Sequence, residues 1–323
     1  MSVATEHVYT LADLENWPPE RAQFPSDGVA LAVIGYPIAH SLSPKMHNAA
    51  LAKLAESKPG FANWRYYKFE VHPDNLGLAI GLFHEKQFRG LNLTVPHKTD
   101  VLNLPNFHLE PQQLFVREMG AANTLKRKES KWYGYNTDGA GLENALRHDL
   151  GLDSVQNRPV VLLGAGGAAR AAAVMCLGEC KSLWIGNRTE ENRKALIKRL
   201  KESPAFIARD DVTLEHFDPN QPPPELPEGT IVINATSLGL KSTDESPIDL
   251  RKIAKPAAVF DMIYRPAETA LLRQAKSMNI PSANGLSMLV YQGAASLKHW
   301  MEQGELPFAI IDEMHRAVGN KLA

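Results

Sequence analysis

The sequence predicts an α/β protein of two domains, the second of Rossmann type. Three observations carry that prediction. At 323 residues the chain is long for one core and comfortable for two. Short apolar runs alternate with helical patterns, which implies parallel strands joined by crossover helices. A Gly-x-Gly-x-x-Ala turn, Gly164 to Ala169, stands directly between a buried-strand run and an alanine-rich helix.

Residues 1–28 read as an extension of proline, acids and aromatics with a short helical stretch near Thr10 to Trp17, a packing arm or partly ordered tail. Val29 to Ile34 is a buried strand ended by Gly35 and Pro37. Ser43-Pro44 opens a helix, with serine as the N-cap and proline at the first helical position. Trp64 to Val71 alternates as a second strand, and Arg89 to Val95 is a third. These elements form a first α/β domain, residues 29–140. The helical stretch Gly141 to Leu150 leads into the second domain, residues 141–287.

There, Pro159 to Leu163 is a short strand that runs into the glycine turn, and Ser182 to Gly186 is the next strand. The helix beginning at Thr189 carries acids in its first turn and bases in its last, which complements the helix dipole. Further strands are Thr230 to Asn234, Ala257 to Met262 and a short one near Pro281; Ser287 to Ala323 reads as helix. Pro219 to Gly229 is a proline-rich surface loop with no assigned chemistry.

A formal net charge of −1 argues against a nucleic-acid or anionic-membrane surface. Cys176 and Cys180, four apart on a predicted helix, suit neighbouring thiols better than a disulfide framework, and point to a reducing compartment. No cysteine and histidine cluster has metal-ligand spacing. The amino-terminal stretch lacks the basic and apolar regions of a secretory signal, and the richest apolar run, after Val160, is broken by Arg170. A soluble cytoplasmic protein is expected, as a monomer or homodimer.

The glycine turn predicts a dinucleotide site. Gly164 permits the tight turn, Gly166 lets the backbone approach a pyrophosphate, and small Ala169 lets helix and sheet pack closely. Together with Ala165, Gly167 and Ala168, these residues would cradle phosphate at a helix N-terminus. At the end of the next strand an NAD site usually carries an acid for the ribose 2′-hydroxyl. This chain has Asn187-Arg188-Thr189 instead, and a guanidinium favours a 2′-phosphate. The cofactor expected is NADP.

In the first half, Gly90-Leu91-Asn92-Leu93-Thr94-Val95-Pro96-His97-Lys98 fixes a lysine just beyond a strand end, where α/β active sites collect. Reducing a ketone requires a hydride on carbon and a proton on oxygen. A cation beside the carbonyl oxygen stabilises the developing alkoxide and can supply that proton. Lys98 is the candidate for that role, with Asp138 holding it in place. Ser41 and Ser43 flank a helix start, and two hydroxyls with a row of free N–H groups suit a carboxylate.

Five motifs occur in order: Gly35-x-Pro37-x-x-His40-Ser41-x-Ser43-Pro44, the Asn92 to Lys98 run, Gly120-Ala121-Ala122-Asn123-Thr124, Asn136-Thr137-Asp138-Gly139, and the glycine turn. In this combination, over about Val29 to Gln303, the chain resembles the shikimate dehydrogenase family. The resemblance implies NADPH-dependent reduction of 3-dehydroshikimate to shikimate, on the way to chorismate and aromatic amino acids, with substrate in a cleft closed by domain motion. It implies that residues 288–323 pack back on the first domain. It implies that Ser41 and Ser43 bind the substrate carboxylate, and that Thr94, Asn123, Tyr264 and Gln292 join Lys98 and Asp138 as substrate ligands. Met262 and Gly285 match positions lining the nicotinamide pocket.

Two departures are present. Family members of the NADP type often have a second base three residues after the threonine; here that place is Asn192, and Arg193 comes one later. Leu240 replaces a common methionine, a swap that conserves volume. Asn92 lines or supports the site. His40 and His47 are expected to pack or cap, and His97 to be a surface neighbour of Lys98. The alternatives are a quinate/shikimate dehydrogenase using NAD or both cofactors, and a non-catalytic metabolite-binding paralogue.

Overall fold

Two separate apolar runs seed two sheets, one buried over residues 31–35 and the other over residues 160–163. The computed structural model describes residues 7–17, 28–110, 113, 115–221, 225–302 and 305–319. Residues 1–6 and 18–27 of the expected extension, 222–224 of the proline-rich loop, and 303–304 and 320–323 of the expected final helix lie outside these. The chain divides into two compact units, one running to Thr137 and resuming at Gln292, the other Asp138–Tyr291.

The first unit opens with α1 (Leu11–Glu15), closed at its start by a reciprocal Thr10–Asp13 capping box. Tyr9 exchanges two backbone hydrogen bonds with Lys68 and Glu70. Leu14 and Trp17 are buried in the core, so this arm is packed against β-sheet side chains. Then follow β1 (Val29–Gly35), α2 (Ser43–Ser57), β2 (Trp64–Glu70), α3 (Leu76–Glu85), β3 (Gly90–Leu93), α4 (His97–Asp100), β4 (Phe107–His108), α5 (Phe115–Met119), β5 (Thr124–Lys128) and β6 (Lys131–Tyr135). The sheet order is β2-β1-β3-β5-β6-β4.

This sheet is mixed, where a parallel one was expected. β1 pairs with β2 and β3 in parallel, but β3–β5 and β5–β6 are antiparallel. Only two residues join β5 to β6, too few for a crossover, so the pair closes as a hairpin with Glu129 at φ 51°.

The second unit holds α6 (Asp138–Leu150), β7 (Pro159–Leu163), α7 (Gly167–Leu177), β8 (Ser182–Gly186), α8 (Glu190–Lys201), α9 (Pro204–Ile207), β9 (Thr213–Phe217), β10 (Ile231–Asn234), β11 (Ala258–Asp261), α10 (Ala270–Ser277) and β12 (Ser282–Asn284). Its sheet runs β12-β11-β10-β7-β8-β9, with every pairing parallel. Counted from β7, that is the doubly wound order 3-2-1-4-5-6, with its reversal between β7 and β10. Two apolar layers cover the two faces, one centred on Leu162 and Phe260, the other on Val161 and Val259.

The last segment forms two helices, α11 (Leu286–Met301) and α12 (Phe308–Ala317), where one was expected. Pro307, which has no N–H to donate, stands as the N-cap of α12. The Trp300 indole donates to the Leu125 carbonyl at 2.9 Å, and α12 packs on α2; α12 and the part of α11 from Gln292 onward belong to the first unit. Among the described residues no helix is long and apolar enough to cross a membrane.

Candidate active site

In the first unit the motif residues gather at one end of the sheet. The turn after β1 is held from β2: Lys68 donates to the Ala39 carbonyl at 2.9 Å, and Glu70 accepts from the Ile38 N–H at 3.3 Å. The next residues are Ser41 and Ser43. Here the structure corrects one expectation. Leu42, not Ser43, is the N-cap of α2, with no side-chain capping bond, and Ser43 is its first residue. The Ser43 backbone N–H donates to Ser41 Oγ at 3.3 Å, and the Ser43 hydroxyl bonds the Tyr66 hydroxyl. The N-cap side chain thus leaves α2 uncapped, and Ser41 and Ser43 both lie at its start.

Beyond β3, the Thr94 N–H donates to the Ile34 carbonyl at 3.0 Å, and Tyr36 N–H to the Val95 carbonyl at 3.0 Å. Lys98 lies in α4, half-buried, its carbonyl accepting from the Ala122 N–H at 2.8 Å. The lysine backbone is thus tied to the segment that carries Asn123.

His97 is not the surface neighbour expected. It is fully buried, and its Nε2 is 2.8 Å from the Val71 carbonyl. Burial lowers its pKa, against the backbone bond, so the ring is an uncharged strut for the loop. His47 is also fully buried, stacked on Tyr66 with ring centroids 4.2 Å apart, and burial lowers its pKa to about 3.

Asn123 is the centre of a buried polar network. Its Oδ1 accepts from the Thr137 N–H at 2.9 Å and from the Thr124 hydroxyl at 2.9 Å. Its Nδ2 donates to Thr137 Oγ1 at 2.8 Å and to Gln292 Oε1 at 3.2 Å. The structure therefore brings Asn123 and Gln292 together across 169 residues of sequence. Asn92 is buried beside them, accepting from the Tyr66 hydroxyl at 2.6 Å and donating to Ser296 Oγ at 3.0 Å. Tyr66 and Ser296 were not singled out in the sequence, and Thr124 and Thr137 stood there only as motif members without a role. The contacts that give the four their place join distant segments, which no local pattern announces. From Thr137 the chain passes directly into Asp138, the first, buried residue of α6.

In the second unit the candidates lie beyond the carboxyl ends of the strands. Gly164 follows β7 with φ 116°, a conformation that favours glycine, and a Cβ there would stand 2.8 Å from the Ala235 carbonyl oxygen. Gly164 thus closes on the loop after β10, at the point where strand order reverses. Gly166 is the N-cap of α7 with no side-chain capping bond, and a Cβ on it would meet nothing within 4 Å. Ala169 is fully buried against the sheet. A tight turn, an open backbone at Gly166 and an uncapped helix start, flanked by Ala165, Gly167 and Ala168, fit a pyrophosphate.

After β8, Asn187 Nδ2 donates to the Thr189 carbonyl at 3.0 Å, and Arg188 and Thr189 are exposed. Arg193 is buried, donating to the Asn187 carbonyl at 2.5 Å and lying 4.0 Å from Asp218. It braces the loop from beneath, while Arg188 is exposed. Past β11 and β12, Gly285 touches Met262 so closely that a Cβ would lie 2.1 Å from the Met262 carbonyl oxygen. Asp261, fully buried, accepts from Asn234 Nδ2 at 2.9 Å, the Thr269 hydroxyl at 2.6 Å and the Ile263 N–H at 3.0 Å. Burial raises its pKa against those three bonds. It fixes the segment that carries Met262 and half-buried Tyr264.

Fold and site define a two-unit α/β protein with a dinucleotide-type second unit and a polar, lysine-bearing sheet end in the first. The model of the shikimate dehydrogenase substrate binding domain matches residues 33–125. A relative from Methanococcus maripaludis, named shikimate dehydrogenase (NADP(+)), is 36% identical over 277 residues, covering 84% of this chain and 91% of that protein. A shikimate dehydrogenase solved in complex with NADP+ superposes with TM-score 0.77 at 32% identity, over 93% of this chain and 98% of that one. The Thermus thermophilus shikimate 5-dehydrogenase, solved with NADP(H) and shikimate, gives TM-score 0.70 at 29% identity, over 90% and 99%. The chain belongs to the shikimate dehydrogenase family.

Proposed function

We propose that the protein is an NADP-dependent shikimate dehydrogenase, an oxidoreductase acting on a CH–OH group that interconverts 3-dehydroshikimate and shikimate in chorismate and aromatic amino-acid biosynthesis. The observation that carries the reading is the junction of Asn123 with Gln292 at the sheet end that also bears Ser41, Ser43, Thr94 and Lys98. A polyhydroxylated ring needs several fixed polar partners, and an unpaired one is costly on both sides.

We assign Ser41, Ser43, Thr94, Lys98, Asn123 and Gln292 of the first unit to the substrate, with Asp138 and Tyr264, and the glycine turn and strand-end residues of the second unit to the cofactor. Ser41, Ser43 and the leading N–H groups of α2 hold the carboxylate. Thr94, Asn123, Tyr264 and Gln292 hold ring hydroxyls. The Lys98 ammonium faces the carbonyl oxygen, where charge develops on reduction, and can hand it the proton; Asp138 orients the lysine and bonds the same hydroxyl. NADP, when bound, supplies or receives the hydride. The glycine turn from Gly164 to Ala168 seats its pyrophosphate, Asn187, Arg188 and Thr189 receive the 2′-phosphate, and Met262 and Gly285 wall the nicotinamide. The compartment we assign is the cytoplasm, which two free buried thiols, Cys176 and Cys180, support.

Steady-state oxidation of shikimate with NADP and with NAD, quinate alongside, tests the reading. A kcat/KM for shikimate with NADP at least ~100-fold above the other three pairings is expected, the span of one charge-assisted guanidinium–phosphate contact or one mispaired hydroxyl. Equal rates with NAD would sink the role of Arg188. Equal rates with quinate would sink the ring-hydroxyl assignments, and binding without turnover would leave a metabolite-binding paralogue.

A further inference from the structure

Ser296, on the inner side of α11, is fully buried, and its hydroxyl stands at the crossing of four polar partners. Asn92 Nδ2 lies 3.0 Å away, Thr124 Oγ1 2.7 Å, Thr137 Oγ1 3.2 Å and the Gln292 carbonyl 3.0 Å. A hydroxyl has one hydrogen to give and two lone pairs. The Asn92 amide nitrogen can only donate, so one lone pair is its acceptor. The Gln292 carbonyl can only accept, so it competes with the threonines for the single hydrogen. The remaining lone pair receives a threonine hydroxyl.

Those two threonines are the ones that touch the Asn123 amide, Thr124 at Oδ1 and Thr137 at both ends. The Thr137 backbone N–H donates to Oδ1, which settles the flip of the Asn123 amide: its NH2 faces Gln292 Oε1. In Asn92, the Tyr66 hydroxyl on Oδ1 turns the NH2 toward Ser296. One serine hydroxyl thus links β3, β5, the Thr137 turn and α11. It also binds the carbonyl of Gln292, one helical turn earlier on its own helix.

We infer that Ser296 is a positioning residue for substrate specificity, holding Asn123 and Gln292 at the spacing that reads a ring hydroxyl. This rests on the assignment of those two residues as substrate ligands. A ring hydroxyl at their junction takes the Asn123 Nδ2 hydrogen now aimed at Gln292 Oε1 and donates its own to that oxygen. Ser296 touches neither Lys98 nor the glycine turn in any of these bonds, so its loss acts on substrate binding and leaves the chemical step alone.

Ser296→Ala is made with Asn123→Ala as reference, and both are assayed for shikimate oxidation with NADP and for thermal midpoint. For Ser296→Ala the KM for shikimate rises about 10-fold, the effect of losing one buried hydrogen-bond partner, with kcat and the KM for NADP within about 2-fold. Asn123→Ala raises the same KM further. If Ser296→Ala lowers the thermal midpoint while the KM for shikimate is unchanged, the serine is a packing group and the inference falls, though the ligand assignment stands. An Asn123→Ala enzyme with unaltered KM overturns both together. Should the alanine variant fail to fold, Ser296→Cys carries the same test, since a thiol fills the space but is a weak hydrogen-bond partner.

Discussion

Acidification from pH 7 to pH 5 should destabilise the first unit through His47 in particular. The ring is fully buried, and among the described residues neither of its nitrogens has a hydrogen-bond partner. Burial lowers its pKa from 6.5 to about 3. The unfolded chain takes up a proton below pH 6.5 that the native ring refuses until about pH 3. Its contribution is therefore complete above pH 6.5 and is lost as pH falls toward 3. At about 1.4 kcal/mol per pH unit, the loss by pH 5 is about 2 kcal/mol. His97 and His299, also lowered chiefly by burial, the latter to about 4, act in the same direction. Asp261, raised by burial, acts oppositely. All three are common to the wild type and a His47→Phe variant, which keeps a ring against Tyr66. Urea unfolding followed by the fluorescence of buried Trp132 and Trp300 measures the stability of both proteins at each pH. The variant should lose about 2 kcal/mol less than the wild type between pH 7 and 5. Losses equal to within a few tenths of a kcal/mol would refute the assignment of a neutral, desolvated His47.

Gly164→Ala places a Cβ against the Ala235 carbonyl at a positive φ, so it should cost about 1–3 kcal/mol and weaken NADP binding, read by thermal midpoint and fluorescence titration. Arg188→Ala should raise the KM for NADP about 100-fold and leave that for NAD unchanged, because only the 2′-phosphate loses a partner. Arg193→Met removes the brace under the Asn187 carbonyl and should raise the KM for NADP about 10-fold. A lower thermal midpoint with unchanged NADP kinetics would reduce Arg193 to a packing role.

The parts of this protein legible in sequence are those encoded locally. Pro159–Leu163 and Ser182–Gly186 form strands with the expected bounds, because a buried run closed by glycine marks its own ends. The β5–β6 hairpin and β9 were not legible. The hairpin turn is Glu129-Ser130 instead of the Asn-Gly or Asp-Gly that announces such turns, and β9 is an edge strand with only Leu214 and Phe217 buried. Ser43 illustrates a competition that sequence alone does not resolve: its hydroxyl goes to Tyr66, 23 residues on, and not to its own helix. His97 was misplaced for a similar reason, since its partner is the Val71 carbonyl on the far side of α3 in sequence. Asn123, Thr94 and Lys98 were visible through their motifs. The serine that joins Asn92, Thr124, Thr137 and Gln292 was not, because nothing adjacent to Ser296 in sequence distinguishes it from any other small residue on an apolar helix.

We propose that Lys98 stabilises the charge that develops at the reacting oxygen and can supply its proton. The most direct test is kcat for shikimate oxidation with NADP in Lys98→Ala, with NADP binding followed separately by fluorescence titration. A loss of about 10³-fold in kcat with NADP affinity unchanged is predicted, the range of a positioned proton-transfer group. A kcat within a few-fold of wild type would contradict the account, and the sheet end that bears Lys98 would then be a binding surface alone.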